Sequence, residues 1–426
     1  MLARIGTALA AALLCLGALA CGDSADTAAS SSSGGAGGAT SSSATSGSAT
    51  SASTGTGSGG DAEWTLVPWA TPGCVVEYAK KPELAFPKLE WEPCPGGEPG
   101  CERIKKNWPQ LSETAIGRPG IRKDGNGYEL SLYLGFPEYV EHRFVVGTDG
   151  VATAAYRYPP DNDCLGAVNS ISTDGHWVGV QRIGVNEPSR FVFQPRGAPV
   201  EQAEVVPTTQ LAQYQRGGEE LLALELDFGT SWLMYDRVTK QLHQAPVPFT
   251  AGAPRFAGGS AFMVHFPQLD KPEAWVFSRE RGFAQLINRS PNVIVDVVAD
   301  GQDLVWVESP PPPMVGQWQP GTLKRSPFTT KALDVVDTVV RPMPAIAAAG
   351  RGALGNGYYA VMDNSPLYHV VRLSDGRMWT ASIAITGDGT MLEDISHVDD
   401  TYVFYKTTYH IYRQRLDQLG PGQPAN

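Results

Sequence analysis

The sequence predicts an all-β protein, and three observations predict it. From residue 128 onward, short segments alternate apolar and polar residues, and turn pairs such as Asp-Gly or Gly-Gly introduce them. The first segment of each group follows its predecessor by about 46 residues on average. No stretch sustains a helical period. We therefore expect the folded part of the chain to consist of short antiparallel strands.

The alternating segments fall into seven groups. In most groups an apolar second strand follows after a loop, and a weaker third strand often comes next. Short antiparallel strands that recur every roughly 40–50 residues are typical of a β-propeller blade, so the sequence predicts a seven-bladed β-propeller. A pair of β-sandwiches and two smaller propeller-like domains are the alternatives. The first segments of the groups are 128–134, 176–183, 221–226, 261–266, 304–308, 358–362 and 402–405.

The order of features in each group resembles the WD-like repeats of TolB-type periplasmic propellers. That order is an Asp-Gly turn, an alternating strand, a loop and an apolar strand that ends near Arg or Asp, and it spans residues 128–416. The groups lack the Gly-His and Trp-Asp dipeptides of true WD repeats, and a run of four prolines interrupts the fifth group. The resemblance implies interactions within the cell envelope.

The first twenty residues have the layout of a secretory signal peptide. Arg4 precedes an apolar run over 5–17 that is too short to span a bilayer, and small residues follow. Cys21 comes directly after Ala20, which resembles the lipobox of bacterial lipoproteins, although Ala18 stands where Leu is usual. The resemblance implies that Cys21 carries fatty acids such as palmitate and anchors the chain to a membrane. The alternative is an ordinary signal peptide that is cleaved after Ala20 or nearby.

The segments that follow predict a tethered domain. Residues 21–60 are almost entirely Ser, Gly, Ala and Thr, and a segment of this composition stays disordered, with a root-mean-square span of roughly 33 Å. Residues 61–420 are expected to form a single β-propeller domain, and residues 421–426 a disordered tail. Within the propeller domain, residues 61–108 are the N-terminal closing segment. We expect residues 74–78 to supply the outer strand that the last group lacks.

Cysteine usage agrees with export. Cys15 lies in the signal segment and Cys21 would be lipidated, which leaves an even number of cysteines in an oxidising compartment. Two disulfides with three possible connectivities are expected. The favoured pairs are Cys94–Cys101, around a short Pro/Gly loop, and Cys74–Cys164. Zinc binding is the rival interpretation, but no two cysteines have zinc-ligand spacing and no His lies nearby.

Composition and motifs exclude several classes of function. The formal net charge is −11 and no Lys/Arg cluster occurs, so a nucleic-acid partner is not expected. The seven histidines are scattered, and no hydrolase, metalloprotease or phosphate-loop motif is present. No cofactor is expected. Asp161 and Asp163 are weak candidates for calcium, because oxygen donors at alternate positions suit that ion, but a solvated turn explains them as well.

One long loop is a candidate for partner binding. Pro310, Pro311, Pro312 and Pro313 favour an extended conformation that loses little entropy on binding. Trp306 precedes the run and Trp318 follows it. A loop that the prolines merely stiffen is the alternative.

Two functions remain. The first is a lipid-anchored binding or scaffold protein of the bacterial cell envelope, at the outer membrane or periplasmic face, which recognises a protein or envelope partner through propeller loops. The second is an exported hydrolase or lyase that acts on glycans or peptides from a central pocket. The lack of a local catalytic motif and the long tether favour the binding protein over the enzyme.

Overall fold

Antiparallel strands with short connections build the folded part of the chain. The computed structural model describes residues 64–68, 75–79, 88–107, 120–135, 141–157, 167–173, 177–184, 187–195, 204–206, 212–218, 220–226, 231–246, 251–252, 254–268, 270–314, 316–328, 332–333, 338–346, 352–363, 367–382, 392–407 and 410–425. These ranges contain 33 β-strands and no α-helix, which confirms the predicted all-β class. They all belong to one unit, Ala62–Asn426.

The strands are numbered in chain order. Those up to residue 244 are β1 Trp64–Pro68, β2 Val75–Ala79, β3 Trp91–Pro93, β4 Cys101–Ile104, β5 Gly120–Asp124, β6 Gly127–Gly135, β7 Glu141–Val146, β8 Ala152–Arg157, β9 Ala167–Thr173, β10 Trp177–Gly184, β11 Glu187–Pro195, β12 Glu204–Val206, β13 Ala212–Gly217, β14 Leu221–Leu226, β15 Ser231–Asp236 and β16 Gln241–Gln244. The later ones are β17 Arg255–Ala257, β18 Ser260–His265, β19 Glu273–Ser278, β20 Gly282–Gln285, β21 Ile287–Asn288, β22 Val293–Ala299, β23 Asp303–Ser309, β24 Gly321–Pro327, β25 Ala332–Leu333, β26 Thr338–Met343, β27 Ala353–Gly355, β28 Tyr358–Met362, β29 Leu367–Arg372, β30 Met378–Ser382, β31 Leu392–Val398, β32 Tyr402–Thr407 and β33 Ile411–Arg415. A short 3-10 helix, Leu416–Gln418, follows β33.

Most sheets are meanders of strands that follow one another in the sequence. Five of them have four strands, in the orders β12-β11-β10-β9, β13-β14-β15-β16, β17-β18-β19-β20, β22-β23-β24-β26 and β27-β28-β29-β30. A six-stranded sheet, the first sheet, has the order β1-β2-β8-β7-β6-β5, and β21 pairs with β25 in parallel. The first segments of the seven groups predicted from the sequence fall on seven strands, each in a different sheet: β6, β10, β14, β18, β23, β28 and β32.

The apolar runs reflect burial of a sheet on both of its faces. In β14, Leu222 and Leu224 pack with Val206 of the preceding sheet. Leu221 and Ala223, on the opposite face, belong to a cluster with residues of the following sheet. Alternate side chains of a strand point to opposite faces, so a strand between two neighbouring sheets needs apolar residues at consecutive positions.

Asp residues form the same tight turn in several sheets. Asp236, Asp300 and Asp399 each accept, through Oδ1, the backbone N–H two residues further on, at 2.9, 3.0 and 2.7 Å. A carboxylate that bonds its own backbone in this way replaces a backbone turn contact. Asn356 and Gly357, with φ of 49° and 77°, form the tight hairpin turn between β27 and β28.

The last strands of the chain meet strands from near its N-terminal end in one sheet, here called the shared sheet. Its order is β3-β4-β33-β32-β31, and Arg413 of β33 pairs with Glu102 of β4. The prediction that 74–78 supplies this outer strand is wrong. β2 instead pairs with β8 at the edge of the first sheet, and β4 is the strand that completes the last group.

The end of the chain is also ordered, so the prediction of a disordered tail is wrong for residues 421–425. Gln423 and Met378 exchange both backbone hydrogen bonds, at 2.8 and 2.7 Å. Trp379 Nε1 donates to the Gly420 carbonyl at 2.9 Å. These hydrogen bonds are made by backbone groups of the tail, and they pair the segment with the outer strand β30.

The predicted Cys94–Cys101 disulfide is present and closes the hairpin between β3 and β4. The two Cα atoms are 5.4 Å apart, and both cysteines are buried in a cluster that includes Tyr405 and Tyr412. The loop is fixed to β33 at the same time, since Gln414 Nε2 donates to the Pro99 carbonyl at 2.6 Å. The disulfide therefore holds the hairpin that supplies β4.

We expect the double substitution Cys94→Ser, Cys101→Ser to lower the free energy of unfolding by roughly 2–3 kcal/mol, because the unfolded chain loses the constraint of an eight-residue loop. Urea unfolding under oxidising conditions measures the change. In excess reductant, wild type and variant both lack the bond, and their midpoints should converge. Equal midpoints under oxidising conditions would contradict the prediction.

Candidate functional site

A cleft of about 310 Å³ opens between the first sheet and the shared sheet. The first sheet lines it with the β5–β6 hairpin and the turn between β7 and β8. The shared sheet contributes Trp91, Tyr402 and Arg413. Its walls come from segments that are distant in sequence, and the pairing of β4 with β33 and the backbone bond from Leu89 N–H to the Gly150 carbonyl, at 2.8 Å, help to bring them together.

Arg413 lies between two aromatic rings at the wall of this cleft. Its guanidinium carbon is 4.2 Å from the ring centroid of Trp91 and 4.8 Å from that of Tyr402. Arg413 Nε donates to Glu102 Oε2 at 2.7 Å. These contacts hold the planar guanidinium in one orientation by stacking and by a charge-assisted hydrogen bond.

Next to the cleft, a buried carboxylate connects the two sheets. The Tyr128 hydroxyl donates to Asp399 Oδ2 at 2.5 Å, and the Asp399 side chain is 1% exposed. Lys123 Nζ lies 3.4 Å from Asp399 Oδ2 and donates to Asp400 Oδ1 at 3.0 Å. His397 Nε2 is 3.6 Å from Asp399 Oδ2. We call Lys123, Tyr128, His397 and Asp399 the junction cluster.

The junction cluster keeps Asp399 ionised. Burial by itself would raise the pKa of Asp399, but His397, the Tyr128 hydroxyl and the backbone amides of Tyr402 and Thr401 outweigh it, and this pKa lies well below its usual range. Burial and the neighbouring carboxylate raise the pKa of Tyr128 far above its ordinary value. Tyr128 therefore remains a hydrogen-bond donor to Asp399 throughout the physiological range.

Polar side chains at the surface of the cleft remain available for binding. Asn126, Thr148 and Asp149 line it and are exposed. Asp149 Oδ1 accepts the Val151 backbone N–H at 3.0 Å, which leaves Oδ2 for another donor. A Cβ atom at Gly127 would lie 2.6 Å from the Thr148 Cβ, so glycine allows the β5–β6 hairpin to approach the next turn closely.

The structure locates only some of the site residues predicted from the sequence. Cys94 and Cys101 form the disulfide. Their sulfur atoms and a Glu98 carboxylate oxygen lie within 4.8 Å of one another, but sulfurs that are bonded to each other are not zinc ligands. Five further candidates lie outside the described residues: Cys21, Cys74, Cys164, Asp161 and Asp163.

The predicted partner loop connects β23 and β24, and two of its residues are not available to a partner. Trp306 is 0% exposed and Pro312 is also buried. Trp306 belongs to the core, where its Nε1 donates to Glu308 Oε1 at 3.0 Å, so its assignment to the loop surface is wrong. Trp318 is half-buried against the core. The exposed prolines are Pro310, Pro311 and Pro313.

His369 connects three strands of one sheet. Its Nδ1 lies 2.9 Å from Thr380 Oγ1, and its Nε2 lies 3.1 Å from Asp363 Oδ2. Burial lowers the pKa of His369, although Asp363 acts in the opposite direction. Hydrolases also use a hydroxyl, an imidazole and a carboxylate in this order. Here His369 and Thr380 are direct cross-strand partners, so the contacts fix strand register.

Sequence reasoning did not find the cleft. The sequence pattern predicts Tyr402 at the start of the strand segment 402–405 and Arg413 at the end of the apolar strand 410–413 that follows it. Trp91 lies in the segment 61–108, for which a different closing strand was expected. No spacing rule relates residues more than 300 positions apart. The signal for the cleft would have been an aromatic residue beside the strand that completes the last group.

Comparisons with known proteins concern the fold alone. No family model and no curated protein matches the chain. Solved structures that resemble it include the β-propeller domain of the trilobed protease from Pyrococcus furiosus, at 11% identity and a TM-score of 0.40, with 73% of this chain and 97% of that chain covered. A streptogramin B lyase gives 9% identity and a TM-score of 0.42, covering 74% of this chain and 96% of that one. Acylaminoacyl peptidase from Pyrococcus horikoshii gives 12% identity and a TM-score of 0.41, and the match covers 70% of this chain and 49% of that one.

The described residues include no helix of the length and apolar character that crossing a bilayer requires.

We expect Asp399→Asn to lower the free energy of unfolding at pH 7 by about 2 kcal/mol, because it removes the charge that accepts several buried hydrogen bonds. The pKa of Asp399 is depressed in the folded state, so its contribution is present above the unfolded value near pH 4 and is lost as the pH falls below it. The stability difference between wild type and variant should therefore shrink from pH 5 towards pH 2.

Urea unfolding at several pH values measures this difference. Asp400→Asn is the matched control, because that carboxylate also pairs with Lys123 but is 57% exposed, and exposed pairs contribute about 1 kcal/mol or less. Equal effects of the two substitutions, or a difference that does not depend on pH, would contradict the assignment.

Proposed function

We propose that the chain is an exported, lipid-anchored binding protein of the bacterial cell envelope, located at the outer membrane or periplasmic face, which recognises a protein or envelope partner. The signal-like segment and Cys21 support export and anchoring, and the 21–60 segment supports a flexible tether. The buried Cys94–Cys101 disulfide agrees with an oxidising compartment.

In this proposal the domain is a seven-bladed β-propeller that the shared sheet closes. Seven sheets of four or more strands support it. The first segment of each group predicted from the sequence is also the second strand of the meander in its sheet. The shared sheet joins β33, the last strand, to β4 from near the N-terminal end, and a pairing of this kind is the usual way in which such a ring avoids free edges.

The observation that carries the binding role is the cleft between the first sheet and the shared sheet. It is concave, aromatic side chains line it, and a few polar groups are placed among them, as in ligand sites generally. The Tyr128 hydroxyl donates to the Asp399 carboxylate and its pKa is raised, so it is a poor nucleophile. The cleft therefore supports the binding of a partner over the alternative of a hydrolase or lyase reaction.

Anchoring and partner recognition can be tested together in cells. We expect metabolic labelling with a palmitate analogue to label the wild type and not Cys21→Ala, and crosslinking with affinity capture to recover a stoichiometric partner that decreases in the variant. Cys15→Ala is the matched control, because this cysteine also lies in the N-terminal segment but would be removed with the signal peptide.

Labelling of Cys21→Ala at the wild-type level would contradict the lipid anchor. Recovery of the wild type alone, combined with turnover of glycan or peptide substrates by the purified chain, would contradict the binding role and support the enzyme.

A further inference from the structure

The cleft offers little net charge to attract an ion. Arg413 is the one cation among the cleft-lining residues in the described part of the chain, and Glu102 Oε2 accepts a hydrogen bond from its Nε at 2.7 Å. The other charged side chain in the lining, Asp149, is an exposed carboxylate. An anionic ligand would meet a neutralised arginine and a carboxylate, so the balance favours a neutral ligand.

The polar groups of the cleft suit a ligand with many hydroxyls. The terminal nitrogens of Arg413 supply donors, and Asp149 Oδ2 supplies an acceptor. The Asn126 amide and the Thr148 hydroxyl supply both kinds of group. Donors and acceptors in the same cleft match the hydroxyl groups of a sugar, each of which donates one hydrogen bond and accepts others.

The aromatic wall supplies the apolar part of such a site. Trp91 and Tyr402 are half-buried and line the cleft beside Arg413. Aromatic rings combine a large apolar surface with a fixed orientation, and the C–H groups of a sugar ring form a flat apolar face of comparable width. The orientation of the rings is fixed before binding, which reduces the entropy lost when a ligand binds.

We propose that this cleft binds a neutral oligosaccharide, with a sugar ring against Trp91 and its hydroxyls bonded to Asp149, Asn126 and Arg413. The inference rests on the proposed binding function and names the class of partner. The volume of about 310 Å³ lies at the lower end of ligand pockets and fits about one or two sugar rings. A glycan chain would extend out of the open cleft on either side.

The purified full chain should first be applied to an array of neutral glucose, galactose, mannose and N-acetylglucosamine oligomers, together with uronic-acid and sialylated oligomers. The strongest neutral ligand is then titrated by calorimetry. We expect binding to a neutral oligomer, and we expect Asp149→Asn to weaken it about tenfold, because an amide NH2, which can only donate, replaces the charged Oδ2 acceptor. Trp91→Ala should weaken it further.

One control variant and the expected folding of the test variant separate the outcomes. Asp300→Asn changes an equivalent turn carboxylate away from the cleft and should leave the affinity unchanged. Asp149→Asn is an exposed turn substitution in which the Asn Oδ1 can still accept the Val151 N–H, so folding of this variant is expected. Binding only to acidic oligomers, binding to none, or a neutral ligand whose affinity neither Asp149→Asn nor Trp91→Ala changes would overturn the proposal.

In-cell crosslinking of Asp149→Asn distinguishes this inference from the proposed function. A partner that is captured equally by wild type and Asp149→Asn, together with a negative array, would refute the oligosaccharide site while the binding role stands. Loss of the captured partner in Asp149→Asn, with a positive array, supports both.

Discussion

The antiparallel pairing of β4 with β33 is the contact on which the other features of the structure depend. It joins Glu102 to Arg413, which are 311 positions apart in the sequence. Closing a loop of this length costs conformational entropy that grows only slowly with length. Local contacts therefore suffice to offset it. The disulfide restrains the β3–β4 hairpin, and a buried stack of Tyr405 on Tyr412, with centroids 5.1 Å apart, covers it.

The junction between the first sheet and the shared sheet is then fixed by polar groups around the buried Asp399 carboxylate. Similar contacts to a buried carboxylate connect other neighbouring sheets. Tyr359 donates to the buried Asp296 at 2.6 Å, and Arg279 Nε donates to Asp236 Oδ2 at 2.6 Å. In each case one sheet supplies an acidic acceptor and the next supplies the donor. A buried carboxylate without a partner is costly, so these contacts specify which surfaces meet as much as they stabilise them.

Sequence patterns predicted what is local and did not predict what is distant. Alternation and turn pairs located the strands, because burial of both faces and tight turns leave direct marks on neighbouring residues. The Cys94–Cys101 pair was predictable, since a short Pro/Gly loop brings its ends together. The choice of β4 over 74–78 as the completing strand was not, because several short strands near the N-terminus have suitable alternation. Trp306 was correctly predicted within the strand segment 304–308, but it was also counted with the candidate partner loop, because its burial depends on the neighbouring sheets.

The cleft follows from the same distant pairing, which couples recognition to the architecture. Trp91 belongs to β3, which pairs with β4 at the edge of the shared sheet. Pro93 has no backbone donor, and Glu92 pairs with Arg103 at 2.7 Å, both of which discourage a further strand from adding to this edge. A ligand between Trp91 and the β7–β8 turn would contact both sheets, and it would stabilise their junction in proportion to the logarithm of its concentration over its dissociation constant. In the proposed arrangement Trp91 lies in the N-terminal segment that follows the tether, so the ligand would contact a part of the chain that is close in sequence to the anchor.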